Sequence, residues 1–368
     1  MGERVNDMLN VINTMPAGLL ELDALRLYDV LPGPTLINLT GRRQGPLFVS
    51  VLLHGNEDTG WLAVRALLRK YHDRQLPRAL SVFIGNVTAA RYRERFLPGQ
   101  PDFNRIWEGG PAIGGLPEHK MVRQVVDEMR SRAVFASVDI HNTTGINPHY
   151  ASIRRTGDRF LQLATLFGRT VVYFLKPEGV QVAAFSQLCP AVTVECGQPG
   201  QSRGVEHALE YVEACLHLSE IPDHPVSPHD VDLFHSVAIV KVPANTSFGF
   251  GDDNLDIRFV DDLDTLNFRE LPVETTLGWV RPGSHAGLDV HDERGENVTE
   301  RFLSVENGEI RTVTPVIPAM LTLNAQAIRQ DCLCYLMERY REFYNARAAA
   351  GTRETPSPSR AGQAIDQA

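Results

Sequence analysis

The chain has 368 residues, 43% of them hydrophobic, and a formal net charge of −9. That is enough apolar material for a full core and length enough for two domains. The acidic balance, with no Lys/Arg block to offset it, argues against a nucleic-acid-binding surface. No apolar run approaches the ~20 residues of a membrane helix, and the first twenty residues carry Glu3 and Asp7 with no apolar stretch of signal-peptide type. Five cysteines in no paired pattern fit a reducing compartment. A cytoplasmic protein with no membrane partner is expected, and assembly into a homo-oligomer stays open.

From about residue 35 to 220, short apolar strands alternate with amphipathic helices. Thr35–Leu39 and Leu47–Leu53 read as strands, and a helix follows over 59–72 with Thr59 as its N-cap candidate. Leu80–Gly85 is the next strand. A helix over 117–131 opens with Pro117 at its first position and sets Met121, Val122, Val125, Val126 and Met129 on one face. Ser137–His141, Val171–Leu175 and Ala191–Cys196 read as further strands, and a helix covers 205–219 with Ala208, Leu209, Val212 and Leu216 inward. These strands are apolar nearly throughout, as strands buried on both faces are. The alternation predicts an α/β fold, an α/β/α sandwich around a largely parallel or mixed sheet. Reactive residues in such sheets gather at the carboxyl ends of strands.

Ile221–Asp230, with three prolines in ten residues, reads as a linker. Beyond it Val237–Val242, Leu277–Val280, Glu309–Val313 and Met320–Leu323 are short strand candidates, which predicts a smaller β-rich domain. A terminal helix is expected over about 325–346, with Ile328, Cys332, Leu336 and Phe343 on one stripe. From Ala348 onward nothing can be buried, so a disordered tail is expected. The expected organisation is a catalytic domain over 1–224, a β-rich domain with the terminal helix over 225–347, and the tail over 348–368.

Four polar clusters interrupt the pattern. His54-Gly55-Asn56-Glu57 closes a core strand, and an imidazole and a carboxylate three residues apart suit a zinc ion. Asp102-Phe103-Asn104-Arg105 lies in a loop flanked by Gly and Pro, and a guanidinium there can grip a carboxylate through its planar fork. Asp139-Ile140-His141-Asn142-Thr143-Thr144-Gly145 brings a second imidazole to a strand end. His54, Glu57 and His141 would then make the three protein ligands of a catalytic zinc site. Asp139 fits either a group that orients His141 or a turn carboxylate at the strand edge. Glu195-Cys196-Gly197-Gln198 ends another apolar strand, where a carboxylate is costly without a partner or a task. Glu195 reads either as a general base or as half of a buried ion pair. Cys196 lacks a dedicated His–base pair and reads as a core thiol.

In their order, HGNE, DFNR, DIHNTTG and VECGQ resemble the succinylglutamate desuccinylase/aspartoacylase branch of the zinc carboxypeptidase superfamily. That branch reads HGNE, DLNR, DLHNTT and IEVGP with similar separations. The resemblance covers about residues 46–220, with a smaller β domain after it. It implies one zinc ion per chain held by His54, Glu57 and His141, and Glu195 as the proton shuttle. It also implies substrate-carboxylate contacts from Asn104 and Arg105. A further arginine of the branch, which polarises the scissile carbonyl, corresponds best to Arg95, with Arg91 and Arg93 as alternatives. The activity implied is hydrolysis of the amide bond of a small, carboxylate-bearing N-acyl amino acid.

Three departures bear on the substrate. Pro177 to Val194 contains no Arg where aspartoacylases place one for the aspartate side chain. The residues after the catalytic Glu are CGQ, not VGP, and the branch's substrate-binding Tyr in the second domain has no clear match. These argue against N-acetylaspartate itself. Gly145–Tyr150 offers Asn147, His149 and Tyr150 near the expected site. The rival readings are a zinc carboxypeptidase acting on peptides and a non-catalytic binding protein with a structural metal. The same ligands also suit cobalt or manganese.

Overall fold

The structure is a computed structural model that describes residues 8–109, 115–251 and 254–345. The tail expected to be disordered from Ala348 lies outside the described residues.

Seventeen strands occur among the described residues. The first nine are β1 (Asn10–Ile12), β2 (Thr35–Leu39), β3 (Gly41–Val51), β4 (Leu76–Ile84), β5 (Ala136–His141), β6 (Tyr150–Ile153), β7 (Thr170–Phe174), β8 (Ala191–Glu195) and β9 (Asp232–Lys241). Then come β10 (Phe248–Phe250), β11 (Ile257–Phe259), β12 (Thr276–Val280) and β13 (Asp289–Asp292). The last four are β14 (Leu303–Glu306), β15 (Glu309–Thr312), β16 (Ile317–Ala319) and β17 (Cys334–Arg339). The larger sheet runs β1-β2-β4-β3-β5-β8-β6-β7-β9-β17-β16, with β13 on β9. Its centre is parallel, β4-β3-β5-β8, and β6 turns antiparallel against β8.

Alternation along the central strands divides the core in two. Leu47, Val49 and Val51 of β3 point to one face with Val138 and Ile140 of β5. Helices Thr59–Lys70 and Ser202–His217 cover that face through Trp61, Leu67, Val212 and Leu216. Phe48 of β3 points the other way, against helix Pro117–Ser131 and Phe185, whose ring stacks on Phe48 at 4.3 Å. Helices on both faces of a mixed sheet make the expected α/β/α sandwich. The smaller sheet, β10-β11-β12-β15-β14, encloses its own core of Ile257, Phe259, Ile310 and their neighbours.

Two expectations after residue 230 need correction. The helix expected over 325–346 is a short one, Ala325–Gln330, followed by β17. Ile328, Cys332 and Leu336 share a helical stripe, but Leu333, Cys334, Leu336 and Met337 are all buried. A segment buried on both sides between β9 and β16 serves as a strand, and ladder bonds outweigh helical spacing there. Cys334 therefore lies on a strand. The strand expected at Met320–Leu323 ends instead at Ala319, because Met320 turns to a φ of 70°. The boundary expected after residue 224 lies between helix Ser202–His217 and β9. There β9 pairs in parallel with β7, so the larger sheet continues across it.

Candidate active site

Three adjacent parallel strands deliver the site. β3, β5 and β8 all end on one edge of the sheet, and His141 and Glu195 are register partners there. His54 and Glu57 follow β3 in a turn whose shape depends on Gly55. A Cβ at Gly55 would stand 2.3 Å from the Ala90 nitrogen, and the Gly55 N–H donates to the Arg95 carbonyl at 3.1 Å. The missing side chain lets the segment carrying Arg95 lie directly against the His54 turn.

His54, Glu57 and His141 are buried, and one ligand atom from each lies within 4.8 Å of the others. His54 Nδ1 is 2.9 Å from Glu57 Oε1, and His141 Nδ1 is 2.8 Å from Glu57 Oε2. The opposite ring nitrogens are held from behind, His54 Nε2 by Asp102 Oδ1 at 2.9 Å and His141 Nε2 by Asp139 Oδ2 at 2.8 Å. An imidazole that donates Nε2–H to a carboxylate turns its Nδ1 lone pair forward. Two such lone pairs and a carboxylate then converge on one point. This donor set fits a divalent cation, and its chemistry is that of zinc sites.

Electrostatics agree with that arrangement. Burial would raise the Glu57 carboxyl, but the facing His54 and His141 override it and hold Glu57 well below the usual carboxylate range. Burial would likewise lower His141, yet Asp139 and Glu57 raise it well above the ordinary histidine value. Burial also opposes the Asp102 charge, and His54 and Arg95 hold it in that form.

Glu195 differs from the other carboxylates. It is buried, its Oε2 has no hydrogen-bond partner among the described residues, and burial first, then Glu57 and Asp139, push it up to about 8. The buried ion pair that was the other reading of Glu195 is absent among the described residues. Cys196, next in line, is buried and its thiol is pushed up by burial, as suits a core residue.

Asp102 joins several parts of the site. Oδ1 accepts from His54 and from the Asn104 N–H at 2.7 Å, while Oδ2 accepts from Arg95 Nε at 3.2 Å and Nη2 at 2.9 Å. Arg95 also lies 3.8 Å from Glu57, at the centre of the site. Arg91 instead stacks over the Tyr28 ring, and Arg93 lines the cleft from an exposed position. Asn104 Oδ1 accepts from the Gln181 N–H, and Arg105 Nη1 donates to the Asn104 carbonyl. Asn142 Nδ2 donates to Thr59 Oγ1 and the Gly197 carbonyl, which ties the ends of β5 and β8 to the start of helix Thr59–Lys70.

The cleft in front of these groups has a volume of about 250 Å³. One wall is the segment from Ala319 to Tyr335, which adds Asp331 and Tyr335. Neither was recognised in the sequence, because no motif surrounds them. Of the Gly145–Tyr150 residues, Tyr150 lines the cleft and donates to Met320 Sδ at 3.1 Å. Asn147 accepts from the Met320 N–H, and His149 turns away to His207. Asp102 and Asp139 each hold the far ring nitrogen of one histidine of the cluster. Asp102→Asn is expected to lower metal affinity about 10–100-fold with the fold retained, as titration against a competing chelator measures.

Fold and donor set together define a buried two-histidine, one-carboxylate site at the strand ends of an α/β/α sandwich. Residues 46–216 match the family model for the succinylglutamate desuccinylase/aspartoacylase catalytic domain. Solved structures agree on the fold. A succinylglutamate desuccinylase/aspartoacylase from Rhodobacter sphaeroides is 14% identical, with a TM-score of 0.53 over 82% of this chain and 88% of that one. Succinylglutamate desuccinylase from Vibrio parahaemolyticus is 11% identical, with a TM-score of 0.55 over 81% and 82%. Murine aminoacylase 3 is 16% identical, with a TM-score of 0.52 over 82% and 97%. At such identities the likeness is one of fold. Among curated proteins, none matches this chain. The four motifs, from His54 to Gln198, all lie within the matched segment. Among the described residues, no helix is long and apolar enough to cross a membrane.

Proposed function

We propose that this chain is a metal-dependent hydrolase that cleaves the amide bond of a small N-acylated amino acid or a close relative. The observation that carries this reading is the buried Oε2 of Glu195, without a hydrogen-bond partner among the described residues, beside the convergent His54, Glu57 and His141. A buried carboxylate oxygen without a partner is costly to keep, and a proton-transfer task accounts for it. The catalytic-domain model matched by residues 46–216, and the fold shared with the solved desuccinylase/aspartoacylase and aminoacylase 3 structures, support the same class.

His54, Glu57 and His141 would hold one zinc ion. When bound, it supplies Lewis acidity toward the amide carbonyl and an acidified water. Glu195 takes the proton of the attacking water and returns it to the departing amine nitrogen. Arg95, anchored on Asp102, presents fixed positive charge to the oxyanion as it forms, which needs no reorganisation during the reaction. Asn104 and Arg105 orient the far end of the substrate. The wall formed by residues 319–335 narrows the cleft and favours a small amide over a peptide chain.

Metal analysis joined to an amine-release screen tests this reading. Acetyl-, formyl- and succinyl-amino acids and their neutral derivatives would be compared with and without chelator. One zinc per chain and chelator-sensitive amine release are expected. Bound zinc with no release from any compound would refute the hydrolase, and a protein that takes up no metal under replete conditions would refute the site.

A further inference from the structure

Arg105 is already engaged by a carboxylate of its own chain. Its Nη2 donates to Asp331 Oδ1 at 2.7 Å, across 226 positions of sequence. The other oxygen, Asp331 Oδ2, lies 3.7 Å from Arg95 Nη2, whose guanidinium is fixed on Asp102. Two guanidinium groups thus face two carboxylates, and the charges of this corner cancel. A free carboxylate on a ligand would find both of these guanidinium groups already paired, and it would approach Asp331 as a like charge.

Asp331 is also accessible and well anchored. Its side chain keeps 24% exposure and lines the cleft beside Arg105 and Tyr335. The backbone on either side is tied down. The Leu333 N–H donates to the Val240 carbonyl at 2.8 Å, Cys332 and Leu333 are buried, and Arg329 donates to the carbonyls of Pro243 and Thr246. Gln326 closes the other end on Glu94 Oε2 at 3.0 Å. A carboxylate held between such anchors is a permanent part of the wall.

We propose that Asp331 determines substrate choice. By occupying Arg105 it turns this corner from a carboxylate clamp into an acceptor for a neutral or cationic hydrogen-bond donor. The favoured substrates are then N-acyl compounds whose far end is an amide, hydroxyl or amine, and not a free carboxylate. The proposal rests on the deacylase reading for its reaction, while the choice of ligand end can be read separately.

The test compares N-acyl amino acids with their N-methylamides and with N-acyl diamines, using the zinc-loaded full chain. The wild type is expected to favour the neutral or cationic member of each set in kcat/KM by roughly tenfold or more. Asp331→Asn keeps the side-chain shape and Asp331→Ser opens space; each should shift the ratio about tenfold or more toward the carboxylate member. Calorimetric binding of N-acetylalanine and its N-methylamide should move the same way, with the carboxylate bound more tightly by both variants than by the wild type. A wild type that prefers the free carboxylate, or ratios unmoved in a folded variant, would overturn the assignment. Should no compound be hydrolysed, the deacylase reading fails alone, because the binding ratio still decides the role of Asp331. If both variants misfold, the preference of the wild type decides it.

Discussion

Glu195→Gln is expected to leave zinc bound while lowering turnover about 10²–10⁴-fold, the usual contribution of a positioned general base. The substituted glutamine would match the shape of the glutamate and leave the three ligands untouched, so metal content and melting temperature should stay close to wild type. It cannot accept a proton from water. The pH profile adds a second readout. Glu195 works as an acceptor only when charged, and burial holds it up to about 8 in the metal-free protein. A cation at the ligand site favours the charged form and moves that value down. Wild-type kcat/KM should therefore rise with pH along an acidic limb, and this limb should be missing from the residual activity of Glu195→Gln. Retained turnover in the variant would remove Glu195 from the mechanism.

The second large effect concerns the ligands themselves. His141→Ala should abolish stoichiometric zinc binding and, with it, the stabilisation that zinc confers. Binding to the folded state adds about 2.7 kcal/mol when free ligand exceeds Kd a hundredfold. A wild-type melting temperature that climbs with zinc and a variant that ignores zinc is the expected pair of curves. The variant should also be weaker without metal, because Asp139 and Glu57 lose the imidazole between them. That loss has a definite pH dependence. His141 is raised in the folded state, so its contribution is fully present below about pH 6.5, the unfolded value. It disappears as pH rises through the raised folded value. The metal-free wild type and variant should therefore differ most at acidic pH and converge toward alkaline pH. Equal zinc binding by the two proteins would displace His141 from the ligand set.

Much of the site was legible because its chemistry is written in short local runs. His54 and Glu57 are three residues apart, and His141 and Glu195 each close an apolar strand, so a strand-by-strand reading places all four on one sheet edge. The central strands were legible for the same reason, since Val, Ile and Leu runs between helical patterns leave few alternatives. Asp331 was not legible. It meets Arg105 only through the path of the chain between β16 and β17, and it sits inside a segment whose apolar spacing suits a helix. Asp102 was in view as part of the DFNR cluster, but its role depends on His54, Arg95 and Asn104 meeting in space. Local pattern reveals which groups can do chemistry; which of them are already partnered depends on the fold.

The pairing of β7 with β9 affects how this protein can change over time. The wall bearing Asp331 hangs from strands that complete the edge of the sheet bearing the metal ligands. A chain cut at the proline-rich connection would leave β7 with an open row of backbone donors and acceptors, a template for mispairing. The substrate-choosing segment is therefore no cassette to be exchanged whole for a relative's. New specificities are reached most readily by single replacements along Ala319–Tyr335, with the backbone ladder beneath them kept intact.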